Sequence, residues 1–167
     1  MKQRIVATGF LTALSAVFAV SAFADKPMTD MQPTSRAYLH SYNLPSTGIA
    51  LEGYCPVAYF AVNKPVKGKA EFASTYDGVT YHFVSNDAKK LFEKEPQKYL
   101  PAYGGWCALG MAIEDKLPVD PTSFKIVNGR LMLFLKNPGI DALKVWNDGN
   151  EAELIAKADA HWKKVSK

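Results

Sequence analysis

Two glycine-containing dipeptides constrain what this chain can fold into. Asp77-Gly78 and Asn128-Gly129 each stand between stretches rich in apolar and aromatic residues. A tight two-residue hairpin turn needs positive φ at both central positions, which Asp-Gly and Asn-Gly adopt readily. The sequence therefore predicts two β-hairpins, with strands over 71–76 and 79–84 and over 124–127 and 130–135. The last strand is apolar on both faces, which predicts an interior position.

Helical signals follow both hairpins. Ser85 suits a helix N-cap because its hydroxyl can accept a hydrogen bond from an unpaired backbone N–H, and Pro96 should end that helix. Two apolar stripes mark the core-facing sides: Ala88, Leu91 and Phe92, and near the C-terminus Ile155, Ala158, Trp162 and Val165. The predicted fold is α+β, with a small antiparallel sheet built from hairpins, packed with helices, and a helical C-terminus. No internal repeat is evident.

The first two dozen residues predict export. A basic start, Met1-Lys2-Gln3-Arg4, precedes an apolar run that ends at Ala22-Phe23-Ala24. This pattern is typical of a secretory signal peptide with cleavage after Ala24, and the run is short for the roughly 20 residues of a membrane span. We expect residues 1–24 to be a signal peptide, 25–47 an extended N-terminal arm and 48–167 the folded domain. A periplasmic or secreted protein without stable membrane insertion follows.

Composition and charge narrow the function classes. With 48% hydrophobic and 22% charged residues, the chain has enough apolar surface for a core, which excludes a mostly disordered protein. The net charge of +4 falls to +2 when Lys2 and Arg4 are removed with the signal peptide, because 18 basic then face 16 acidic residues. The remaining lysines are scattered among acids, so nucleic acid is a poor candidate partner. No hydrolase, phosphate-loop or dinucleotide motif is present, which favours a non-catalytic protein.

Three blocks of the sequence carry a family resemblance. They are Gly53-Tyr54-Cys55-Pro56-Val57-Ala58-Tyr59-Phe60, Tyr81-His82-Phe83-Val84-Ser85, and Lys98 to Ala108 with its Tyr103-Gly104-Gly105-Trp106-Cys107 core. With them the chain resembles the YHS domain family, most closely its exported single-domain branch. The resemblance implies a small α+β fold and relatives that occur beside or fused to metal-handling proteins such as heavy-metal transporters. The exported branch commonly has Asp where this chain has Cys55.

The two cysteines admit two hypotheses. Export exposes thiols to an oxidising compartment, so Cys55 and Cys107 can form a disulfide. That bond would close a loop of 107 minus 55, or 52, residues. On the chain-entropy account such a bond is worth roughly 4 kcal/mol. The other hypothesis is a site for a soft metal, since thiolates select copper(I) or zinc over magnesium or calcium.

The metal hypothesis names four candidate ligands, in the order Cys55, Cys107, His82 and Met111. Cys107 and Met111 are four residues apart, so on a helix both sulfurs would project from one face. His82 lies on a hairpin strand and can supply a nitrogen ligand. Met111 as core filler and His82 as a packed strand residue are the structural alternatives.

The sequence thus predicts an exported, non-catalytic protein that binds copper or zinc, with a metal ion or a metal-handling protein as partner. The alternative is a disulfide-containing thiol redox or small-ligand-binding protein without bound metal. A helix starting near Trp106 would place Cys107 at its N-terminus, where the dipole favours a thiolate. The aromatic residues near the cysteines form either core or a ligand pocket: Tyr54, Tyr59, Phe60, Tyr99, Tyr103 and Trp106.

Overall fold

The structure is a computed structural model and describes residues 41–166. The predicted signal peptide and residues 25–40 of the predicted arm lie outside the described residues. The described residues all fall within the unit Met31–Lys167. Between 41 and 166 no helix is both long enough and apolar enough to cross a membrane.

Two left-handed turns each precede a series of helices and strands along the chain. The first turn, Ala50–Gly53, leads into α1 (Pro56–Val62), β1 (Lys69–Tyr76), β2 (Val79–Phe83), α2 (Asn86–Lys94) and α3 (Pro96–Tyr99). The second, Ala102–Gly105, leads into α4 (Ala108–Ala112), β3 (Asp120–Val127), β4 (Arg130–Phe134), β5 (Lys136–Asn137), β6 (Ile140–Asp141), α5 (Ala142–Asp148) and α6 (Glu151–Val165). The α+β prediction is confirmed, but the strands form three separate antiparallel pairs, β1 with β2, β3 with β4 and β5 with β6.

The local signals for turns and caps are confirmed. Both hairpins turn at the predicted dipeptides, with Asp77 at φ 53° and Asn128 at φ 51°. Ser85 caps α2, because its Oγ accepts a hydrogen bond from the Ala88 N–H at 3.2 Å. The predicted position of Leu91 is wrong: its side chain is 49% exposed, because α2 buries only the narrower face that carries Ala88 and Phe92.

The structure contains an internal repeat that is not evident in the sequence. Residues 49–99, the first repeat, and residues 101–166, the second repeat, share the order of a left-handed turn, a short helix, a hairpin and two helices, and the second adds β5 and β6 before its helices. The φ angles over 51–53 are 55°, 50° and 81°, and over 103–105 they are 56°, 60° and 86°. The backbone hydrogen bonds match as well: the Cys55 N–H donates to the Val66 carbonyl at 2.8 Å, and the Cys107 N–H donates to the Leu117 carbonyl at 3.0 Å.

The hairpins repeat in register. Tyr76 pairs with Val79 in the first, and Val127 pairs with Arg130 in the second. Both pairings become irregular at the corresponding point, between Lys69 and Ala73 and between Asp120 and Phe124. The residue ahead of each left-handed turn bridges the second strand of its own hairpin, Ile49 to Thr80 and Pro101 to Leu131.

The core has two clusters of buried side chains, and the second hairpin lies between them. Leu131 and Leu133 belong to the first cluster, while Met132 and Phe134 belong to the second. All four are fully buried, so β4 is the interior strand that its apolar sequence predicts. The two repeats also meet through a buried hydrogen bond, in which the Tyr59 hydroxyl donates to the Pro121 carbonyl at 2.8 Å.

The C-terminal helix packs as its stripe predicts. Ala158 is fully buried in the second cluster. Ile155, Trp162 and Val165 are half-buried against the same cluster. Asn150 starts this helix, and its side-chain oxygen accepts a hydrogen bond from the Glu153 N–H at 3.3 Å.

Candidate functional site

Cys55 and Cys107 occupy the same position in the two repeats. Each follows a left-handed turn by two residues and stands at the N-cap of a short helix, α1 or α4. Both side chains are fully buried, Cys55 in the first cluster and Cys107 in the second. The predicted disulfide is not formed, since both cysteines are free. The two thiols belong to the cores of different repeats, which is the physical reason that they remain separate.

The sulfur of Cys107 accepts backbone hydrogen bonds. Its donors are the N–H of Gly110 in α4, at 3.5 Å, and the N–H of Leu135 after β4, at 3.3 Å. The placement of Cys107 at a helix N-terminus is therefore confirmed. Met111 lies four residues on in α4 and is fully buried in the same cluster, which agrees with the core-filler alternative.

His82 lies on the outer face of β2. It is half-buried and lines a surface cleft of about 300 Å³ with Glu52, Gly53 and Lys67. A Cβ atom at Gly53 would lie 3.4 Å from His82 Nδ1, so the imidazole stands directly over the left-handed turn. Lys67 Nζ donates to the Glu52 carbonyl at 2.6 Å.

The four candidate ligands do not form one coordination sphere in this conformation. Within residues 41–166, no group of three or more His, Cys, Asp or Glu side chains is placed to hold a metal ion. The two thiols are enclosed in separate clusters, and the imidazole of His82 faces the cleft. A tetrahedral site needs its ligands within about 2.3 Å of one ion, so this arrangement does not fit a shared site without rearrangement. The ligand assignment stays a prediction.

Three of the aromatic residues near the cysteines divide between core and cavity. Tyr59 is fully buried, contacts Phe124 edge-on at 4.9 Å between ring centroids, and has its pKa raised by burial. Tyr99 is also buried in the first cluster. Tyr103 is buried too, but it contributes to the wall of a cavity of about 310 Å³ beside the second turn.

A polar cluster at this cavity was not predicted from the sequence. Arg130 donates to both carboxylate oxygens of Asp159, at 2.7 and 3.0 Å, and the Tyr103 hydroxyl donates to Asp159 at 2.9 Å. Burial raises the pKa of Tyr103. Burial also acts to raise the pKa of Asp159, but the hydrogen bonds from Arg130 and Tyr103 outweigh it and leave that pKa below its usual value. The one sequence signal was Arg130 itself, a charged residue that opens an otherwise apolar strand.

Comparison with known protein families finds one match. The sequence model of the YHS domain family matches residues 57–103, which confirms the predicted resemblance over that range. The match lies mainly in the first repeat and stops where the second left-handed turn begins. Neither a curated protein nor a solved structure matches the chain. The YHS domain is associated with metal-handling proteins, and this association supports a metal-related role.

Proposed function

We propose that this chain is an exported, non-catalytic protein that binds copper or zinc in metal handling or sensing. The candidate ligands are Cys55, Cys107, His82 and Met111. The proposal rests on one observation above all: a chain with a YHS domain carries a free thiol at the same helix N-cap in both of its repeats. A metal-handling protein is the corresponding partner.

The chemistry of the donors supports a soft metal. Thiolate and thioether sulfur prefer copper(I), and thiolate with imidazole also suits zinc. His82 is the ligand that an ion can reach from solvent, since it lines an open cleft. Capture by the thiols requires the short helices α1 or α4 to open at their N-termini, because both sulfurs are fully buried.

Metal retention by matched variants tests this proposal. The purified protein is loaded with copper(I) or zinc, desalted and measured by elemental analysis together with titration of its thiols in denaturant. We expect near-stoichiometric metal and two titratable thiols. Cys55→Ser and Cys107→Ser should each lower retention about tenfold, the loss expected for one ligand or its support.

Histidine variants supply the control. His82→Gln should lower metal retention, whereas His161→Gln, which changes a half-buried histidine on α6, should not. The proposal fails if the wild-type protein retains no metal, or if retention is the same in the cysteine variants as in His161→Gln. It also fails if the denatured protein shows no free thiol and no metal.

A further inference from the structure

The cavity beside the second left-handed turn has aromatic walls. Tyr103 and Trp162 line it with their rings edge-on, 6.4 Å between centroids, and Tyr42 adds a third ring. Its volume of about 310 Å³ is at the small end of the range for ligand pockets. Aromatic walls of this kind favour a flat, partly apolar ligand, since ring pairs gain energy in edge-on and offset arrangements.

The same cavity has a cationic rim. Arg130 and Lys98 line it, and none of the described residues that line it is acidic. The Arg130 guanidinium stands over the Tyr103 ring, 5.2 Å from its centroid, and it donates two hydrogen bonds to Asp159. Those bonds use one N–H of each terminal nitrogen, and a guanidinium carries five N–H donors in a rigid fork. Asp159 therefore orients Arg130 without using its full donor capacity.

The cavity is not a by-product of the repeated motif. The positions of Tyr103 and Arg130 are taken in the first repeat by Leu51 and Val79, which are 5% and 0% exposed within the first cluster. The same backbone therefore closes over a solid core in one repeat, and in the other it leaves a space with three rings and two cations. None of the candidate metal ligands lines that space.

We propose that this cavity binds a small aromatic carboxylate. The ring would lie against Tyr103 and Trp162, and the carboxylate would accept hydrogen bonds from Arg130, with Lys98 adding long-range attraction. A carboxylate on a guanidinium forms a charge-assisted bond, the strongest kind that this rim offers. The site does not depend on metal binding, and it gives the chain a second, separate ligand.

Titration with phenylacetate tests the site. The probe is followed by calorimetry and by the indole N–H signal of Trp162 in two-dimensional NMR, assigned with Trp162→Phe. Saturable binding should shift that signal. Phenylacetamide, which keeps the ring but has no charge, should bind at least about tenfold more weakly, because a charge-assisted bond is worth more than 1.4 kcal/mol.

Charge variants decide between this site and non-specific binding. Arg130→Gln should weaken phenylacetate binding about tenfold. Lys98→Glu changes an exposed side chain and should weaken it about threefold through like-charge repulsion, so it provides the test if Arg130→Gln does not fold. Lys144→Gln, on the exposed side of α5, is the matched control and should bind like the wild type.

Three results would overturn the proposal. The first is the absence of a saturable shift of the Trp162 signal, and the second is equal affinity for phenylacetate and phenylacetamide. The third is that a folded Arg130→Gln or Lys98→Glu variant binds phenylacetate as tightly as the control Lys144→Gln. Retained binding in a protein free of copper and zinc is an expected result, which keeps this test separate from the metal proposal.

Discussion

The two repeats share one backbone and use it in different surroundings. In both, three consecutive residues of the left-handed turn have positive φ, yet the middle residue is Glu52 in the first and Gly104 in the second. A Cβ atom at Gly104 would lie 2.8 Å from both the Ser41 carbonyl oxygen and the Trp162 ring. Glu52 is exposed. The packing over the turn therefore decides where glycine is required, and the φ angle alone does not.

The hairpins differ in the same way. Thr80 and His82, on the outer face of the first hairpin, are half-buried. The equivalent residues of the second, Leu131 and Leu133, are fully buried in the first cluster. Strand β2 thus has a solvent face and Leu131 to Phe134 of β4 have none, because the second repeat packs the outer face of β4 onto the core of the first.

When residues are exchanged between equivalent positions of the two repeats, we expect the largest loss in the free energy of unfolding at the interior strand, β4. Leu133→His should lower the free energy of unfolding by roughly 4 kcal/mol, since it removes a fully buried side chain and buries an imidazole. The reverse exchange, His82→Leu, should change it by less than about 1 kcal/mol, because that position borders solvent. Urea denaturation of both variants measures the two values. Similar losses would mean that the two strand faces are not in different environments.

The turns should show a smaller but still clear asymmetry. Gly104→Glu should lower the free energy of unfolding by about 3 kcal/mol, because its Cβ meets backbone and ring atoms at a positive φ. Glu52→Gly, the matched exchange, should change it by at most about 1 kcal/mol, since relief of the positive φ offsets the added freedom of the unfolded chain. Thermal unfolding checks both. Equal shifts in Tm would show that the covering of the second turn by Ser41 and Trp162 is not what requires glycine.

The smallest expected effect on stability comes from the Arg130–Asp159 ion pair of the second repeat, and it depends on pH. The pKa of Asp159 is below its ordinary value of 3.8, so the ionised pair stabilises the fold above that pH. This contribution should be lost as the pH falls through the lowered pKa. Asp159→Asn should cost about 1 kcal/mol or less at pH 7, because the pair is partly exposed, and the cost should shrink below about pH 4.

A control variant sharpens the pH measurement. Asp148→Asn removes an exposed carboxylate at the end of α5 and should leave the acid dependence of unfolding as it is in the wild type. A cost of Asp159→Asn that stays constant from pH 7 to pH 3 would contradict the assigned role of the ionised pair.

Short-range signals were sufficient for most of the fold. The two hairpin dipeptides, the Ser85 cap and the C-terminal stripe each act over a few residues, so the sequence displays them directly. Leu91 was misplaced because three apolar residues at helical spacing do not reveal how wide a face the neighbouring elements will cover. That width is a tertiary property.

The repeat was hidden because equivalent positions carry different chemistry. Few residues are identical between the two copies, among them Gly53 and Gly105, Cys55 and Cys107, and Gly78 and Gly129. These are residues that the turns and caps use, whereas the core-facing residues changed with their surroundings, as Tyr81 and Met132 did. For the same reason the sequence pointed to the two cysteines as a pair, but it could not show that they lie in different cores.

The two-sided burial of β4 has a consequence for how the protein is made. The first repeat precedes the second along the chain, so the surface that receives Leu131 and Leu133 emerges before β4 does. A chain with the repeats in the opposite order would expose the apolar residues Leu131 to Phe134 of β4 before their cover is present, and such a segment nucleates aggregation. The order of the two repeats along the chain thus places the covering surface ahead of the strand that it covers.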